Sequence, residues 1–201
     1  MSKLATRAAL QGLALSGRYG KEGGAPGLVV KERVGLGLAT VAVRKGQDDA
    51  LKASVREAYG VDLPDTSTVA KGKDVSFIGT GPGQWLAVSE THGNETLAAD
   101  LAKRLEGLAS ISDQSSGRAV LRVNGPKVRD VLAKGLAIDL DPRVFPPGSA
   151  ATSTISHMGV QIWQMDDTQG YEIAFFRSFA ESFWRWLTSS AAEFGYEVTT
   201  A

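Results

Sequence analysis

Two pairs of apolar runs, Val75 to Ile78 with Gln84 to Ser89 and residues 159 to 165 with 171 to 176, are each joined by a very short link. A parallel neighbour needs a crossover of a dozen or more residues, so each pair is predicted to form an antiparallel hairpin. The links, Gly79-Thr80-Gly81-Pro82-Gly83 and Asp166-Asp167-Thr168-Gln169-Gly170, consist largely of turn-forming residues. The links support hairpins rather than the crossovers of a doubly wound parallel sheet.

The other elements arrange themselves around these hairpins. Residues 28 to 43 read as two short strands split by glycines. The spacing of Leu51, Val55, Ala58 and Tyr59 predicts a helix from Asp48 to Tyr59, stopped by Gly60. Residues 60 to 73 are turn-rich, and a second helix starts at Asn94 with Leu97, Ala98, Leu101 and Leu105 as its stripe. Beyond Ile111 comes a strand from Arg118 to Val123 and a helix that opens at Pro126 and stops at Gly135. A long helix from Phe179 to Phe194 begins with a predicted capping box, Ser178 with Glu181, and closes at Gly195.

Each half thus runs β-α-β-β-α-β. The predicted fold class is α+β, with two ferredoxin-like halves packed as one unit. Residues 28–113 form the first half, residues 114–201 the second, and residues 1–27 an N-terminal arm ordered by a partner. Lys3, Arg7, Arg18 and Lys21 precede the first acid, Glu22, so a targeting segment is the alternative reading of the arm.

Composition narrows the function. The 201 residues are 43% apolar, enough for a sizeable core, and 22 basic side chains balance 22 acidic ones. No net field draws the chain to nucleic acid or to an anionic membrane, and no apolar run is long enough for a span. Without cysteine, and with only His92 and His157, thiol chemistry and nearly every zinc arrangement are excluded. A cytoplasmic location is expected.

Each candidate site has a simpler explanation. The glycines at 79, 81 and 83 lead into a strand rather than a helix N-terminus, and Pro82 lacks an amide donor, so a turn is expected there rather than a phosphate cradle. Gly72-Lys73 and Gly20-Lys21 lack the earlier glycine and the hydroxyl of a phosphate loop. Asp48-Asp49 suits a helix start, Asp166-Asp167 a hairpin turn, and Asp139 with Asp141 a structural role. Neither histidine has a sequence neighbour that would act as base or second ligand. No catalytic, cofactor-binding or metal-binding residue is therefore assigned. Trp163, Phe175, Phe176, Phe179, Phe183, Trp184 and Trp186 crowd the last fifth of the chain, as core or as interface anchors.

Several longer phrases carry a resemblance. They are Val30-Lys-Glu-Arg33, Ala39-Thr-Val-Ala-Val-Arg-Lys-Gly46, Gly81-Pro-Gly-Gln-Trp-Leu86, Ser112-Asp113 with Gly117-Arg118, Asn124-Gly-Pro-Lys-Val-Arg129, Asp139-Leu-Asp-Pro-Arg-Val-Phe-Pro-Pro-Gly148 and Arg177-Ser-Phe-Ala-Glu-Ser-Phe-Trp184. In these the chain resembles the gamma subunits of heterotetrameric bacterial sarcosine oxidases, a family similar in fold to the tetrahydrofolate-binding aminomethyltransferase domain.

The resemblance implies an accessory subunit without a cofactor of its own, packed chiefly against the alpha subunit, with beta and delta as further partners. It implies a complex that oxidatively demethylates sarcosine to glycine, makes hydrogen peroxide and passes the one-carbon unit to tetrahydrofolate. NAD and tetrahydrofolate are expected in alpha, FAD and FMN in beta, and zinc in delta. The hairpin that would present an aminomethyltransferase aspartate reads Gly72-Lys73-Asp74-Val75-Ser76, without an acidic pair. The alternative function is an independent tetrahydrofolate-dependent aminomethyltransferase-like protein.

Overall fold

A computed structural model of the chain describes residues 8–93, 96–164 and 170–199. Twelve strands and four α-helices follow in the order β1 (Gly17–Tyr19), β2 (Leu28–Glu32), β3 (Gly37–Val43), α1 (Asp48–Tyr59), β4 (Val69–Lys71), β5 (Ser76–Gly81), β6 (Gln84–Ser89), α2 (Leu97–Arg104), β7 (Ala109–Asp113), β8 (Arg118–Asn124), α3 (Val128–Leu132), β9 (Ala150–Ile155), β10 (Met158–Gln164), β11 (Gly170–Phe176), α4 (Ala180–Ala191) and β12 (Tyr196–Thr199). They build two sheets, one of five strands ordered β4-β5-β6-β3-β7 and one of seven ordered β1-β12-β2-β8-β11-β10-β9. The fold is α+β.

Alternation along the strands decides the layering, because successive side chains point to opposite faces of a sheet. In the five-stranded sheet Ala39, Val41, Phe77, Trp85 and Ala87 meet Leu51 and Val55 of α1 and Leu97 and Leu101 of α2. In the seven-stranded sheet Leu121, Val123, Val160, Ile162, Ile173 and Phe175 meet α3 and α4. The intervening positions, Leu38, Ile78 and Leu86 on one sheet and Val120, Trp163 and Ala174 on the other, pack against each other in a third cluster. The order of layers is therefore helix, sheet, sheet, helix.

Both hairpins form as expected: β5 pairs antiparallel with β6 across Pro82-Gly83, and β10 with β11. The α1 boundaries coincide with the predicted ones, and Gly60 ends the helix in the left-handed region at φ 67°. Other expectations need correction. The capping box does not form: Arg177–Phe179 is a 3₁₀ turn that moves Ser178 off the cap position, and no side chain caps α4. Helix α3 is shorter than predicted, and Gly135 serves close packing rather than a left-handed stop: a Cβ there would lie 2.7 Å from Trp186 Nε1. Asn94, at the predicted start of the second helix, lies outside the described residues.

Strand β2 does not stay with the sheet of the first half. It lies between β12, to which it is parallel, and β8, to which it is antiparallel, with Leu28 and Val30 fully inside the core of the seven-stranded sheet. Much of the arm is ordered by the chain itself. Strand β1 pairs with β12, Tyr19 stacks on Tyr196, Leu10 is buried, and the amides of Ala9 and Leu10 donate to the Glu32 carboxylate. Residues 1–7 lie outside the described residues.

Candidate functional site

The back-to-back sheets leave a cavity of about 290 Å³ at one end, lined by Ile78, Val88, Trp163, Gln164 and Glu172 and rimmed by Lys73, Asp74 and Glu90. Register explains its polarity. On the inner face of the seven-stranded sheet Arg122 stands opposite Glu172, Val120 opposite Ala174 and Arg118 opposite Phe176. The charged pair closes the apolar layer at the cavity end.

Glu172 is one of four buried polar or charged residues among the described ones. Its Oε1 accepts from Arg122 Nη2 at 2.7 Å and Nε at 3.0 Å, and also from Arg33 Nη1. Arg33 then reaches across the layer and donates through Nη2 to Glu90 Oε1 at 2.5 Å. Glu90 directly follows β6 in the five-stranded sheet, so Arg33 ties one sheet to the other. This hydrogen bond, more than any other influence, holds the Glu90 carboxyl below its ordinary pKa.

Both guanidiniums share one oxygen of this carboxylate, so its charge is committed to ion pairs with the neighbouring strand and with the residue that follows β2. The arrangement suits clamping rather than catalysis. Gln164 also lines the cavity; the residue is 6% exposed, and its buried Oε1 has no hydrogen-bond partner. Trp163 supplies a buried aromatic wall beside it.

The structure disperses the candidates named from sequence. Asp48 and Asp49 occupy the first turn of α1. Asp139 accepts from the Asp141 amide, and Asp141 pairs with Arg143, which lowers the Asp141 pKa. His92 Nδ1 lies 3.3 Å from Ser89 Oγ. His157 forms the β9–β10 turn with Ser156, both at positive φ. Residues 79–83 make the β5–β6 turn with a bulge at Gly79/Gly81, and Asp166-Asp167 lies outside the described residues. Among the described residues no group of three or more His, Cys, Asp or Glu could hold a metal, and no helix is long and apolar enough to cross a membrane. Of the aromatics, Trp163, Phe175, Phe183 and Trp184 are core, whereas Phe176 and Phe179 are exposed.

Sequence inspection missed the Arg33–Glu172–Arg122 clamp. Its signal was present in the single acid within Tyr171-Glu-Ile-Ala-Phe-Phe176 and the arginine inside Ala119-Val-Leu-Arg-Val123. An isolated charge in an apolar strand must find a partner when the strand is buried.

Residues 44–193 match the sarcosine oxidase, gamma subunit family. A sarcosine oxidase subunit gamma from Corynebacterium sp. (strain P-1) is 33% identical over 148 residues, covering 72% of this chain and 71% of that protein. Among solved structures, the heterotetrameric sarcosine oxidase from Corynebacterium sp. U-96, in complex with pyrrole 2-carboxylate, superposes with a TM-score of 0.78 at 25% identity, covering 94% of this chain and 95% of the matched one. The glycine cleavage system aminomethyltransferase T from Bartonella henselae shares the fold, with a TM-score of 0.63 at 17% identity over 88% of this chain and 48% of that one. On this evidence the chain belongs to the sarcosine oxidase gamma subunit family.

Proposed function

We propose that this chain is a non-catalytic structural subunit of a heterotetrameric sarcosine oxidase, bracing the alpha subunit, with beta and delta completing the complex. Within it, sarcosine is oxidatively demethylated to glycine and hydrogen peroxide, and the one-carbon unit leaves as 5,10-methylenetetrahydrofolate. FAD, FMN, NAD, tetrahydrofolate and zinc belong to the other subunits, and the complex works in the cytoplasm. The observation that carries this reading is the inter-sheet clamp: the buried carboxylate of the cavity, Glu172, is already held by Arg33 and Arg122. Its charge is committed to joining strands.

The cavity itself favours one alternative, an independent aminomethyltransferase-like protein that binds tetrahydrofolate, because Trp163 and Gln164 line an open space. Purifying the chain alone and beside its co-expressed partners separates the two. The proposal expects no bound flavin and no sarcosine oxidation from the lone chain, and recovery of an active complex on co-expression. Sarcosine oxidation by the lone chain refutes it. Micromolar binding of folinic acid to the lone chain, with no complex formed, favours the alternative.

A further inference from the structure

We propose that Arg118, Phe176 and Phe179 form the docking surface for another subunit of the oxidase, which inserts a segment bearing a carboxylate between apolar side chains. The inference rests on the reading that this chain works inside the assembled enzyme.

It starts from two arginines on one face of one strand. Arg122 and Arg118 both point into the layer between the sheets, but Arg122 faces Glu172 whereas Arg118 faces Phe176. Arg118 Nε is buried without a hydrogen-bond partner, and its guanidinium carbon lies 4.7 Å from the Phe176 ring centre. Burial lowers the Arg118 pKa. Arg118 is half-buried, and a partly desolvated cation without a counter-charge is disfavoured, so such a group calls for an anion.

Among the described residues none is left over for it. Glu32 lines the same crevice but accepts from the amides of Ala9 and Leu10, and the Glu172 carboxylate lies on Arg33 and Arg122. The crevice beside Arg118 encloses about 30 Å³, room for a carboxylate head or one water. Val34 in its lining is 46% exposed, Phe176 against the Arg118 guanidinium 46%, and Phe179, three residues further along the chain, 39%. Exposed aromatic side chains beside an arginine are typical of an interface hot spot, and the cation fixes the charge of what docks.

The test co-expresses tagged variants of the chain with the other subunits and measures dissociation of the purified complex on dilution, with circular dichroism of each variant chain as the folding control. Arg118→Leu is expected to weaken association by about 30-fold or more, and to flatten its dependence on salt, because one desolvated ion pair is lost. Phe176→Glu is the second variant. It gives Arg118 a cross-strand carboxylate within the chain, so the chain is expected to melt no lower than wild type while assembly falls by at least about 10-fold. Should Arg118→Leu fail to fold, Phe176→Glu alone decides. Wild-type assembly by a folded Arg118→Leu or by Phe176→Glu overturns the inference, since water alone would then satisfy Arg118, and leaves the subunit reading standing. Failure of the wild-type chain to join any partner overturns both.

Discussion

Replacing Glu172 by glutamine removes the charge of the clamp while keeping its size. The Glu172 side chain is 5% exposed, Arg33 12% and Arg122 35%. Breaking a buried pair by removing one partner costs about 3–5 kcal/mol, because the remaining charge stays desolvated. Two features of the site reduce that cost. Arg33 keeps Glu90 as a second partner, and the exposed part of Arg122 lets water solvate its guanidinium. A loss of about 2–4 kcal/mol is therefore expected for Glu172→Gln. In a chain of this size 1 kcal/mol shifts the melting temperature by roughly 2–4 °C, so the drop should be roughly 4–16 °C. Calorimetry and urea denaturation of wild type and variant measure it. A control replaces all three residues by methionine: apolar groups of similar volume need no counter-charge, so the triple variant should be markedly more stable than Glu172→Gln. A Glu172→Gln protein within about 0.5 kcal/mol of wild type would refute the assignment of the clamp as a stabilising tie.

Two further outcomes are expected. Gly135→Ala would ordinarily stabilise by about 0.4–1 kcal/mol through the unfolded chain, but the new Cβ would meet the Trp186 ring, costing about 1–3 kcal/mol. Urea denaturation should therefore show a net loss, smaller in the Trp186→Phe background; a neutral or stabilised Gly135→Ala refutes the contact. The Tyr59 hydroxyl donates to Asp100 Oδ2 at 3.0 Å, and burial first, then this bond, raises its pKa. The folded state thus holds the proton more tightly than the unfolded one, so this stability is complete below about pH 10 and is lost as pH rises beyond it. Tyr59→Phe should flatten the alkaline decline measured by thermal melting, while Tyr171 and Tyr196, also raised by burial, leave a residual slope. An unchanged slope would refute the role of Tyr59.

Much of the fold was legible because it is local. Leu51 and Val55 at helical spacing and Gly60 after them specify α1 within a dozen residues, and both hairpins follow from links too short for any other geometry. The rest depends on pairings the local sequence does not encode. Strand β2 finds its neighbours at residues 118–124 and 196–199, so its sheet is chosen by which core has room for Leu28 and Val30. Strand β9, Ala-Ala-Thr-Ser-Thr-Ile, has β-branched Thr152, Thr154 and Ile155 but no apolar run to mark it, yet it pairs along its length with β10. The Ser178–Glu181 phrase had the right residues for a capping box, and a 3₁₀ turn took its place. The clamp joins residues 50 and 139 positions apart, beyond the reach of any local motif.

The two arginines of β8 connect these observations. They stand four residues apart on one face, in the same layer, and differ in what faces them across the strand pair. At Arg122 the chain supplies its own carboxylate, and the cavity end of the layer is tied shut from within. At Arg118 it supplies an aromatic ring, and the opposite end leaves a cation with an unmatched Nε beside the exposed Phe176. A chain that acted alone would gain stability from an acid at position 176, since opposite charges directly across strands attract. Phenylalanine at that position instead makes sense if the counter-charge arrives from outside, and it connects the Gly117-Arg118 phrase of the sequence to assembly rather than to chemistry.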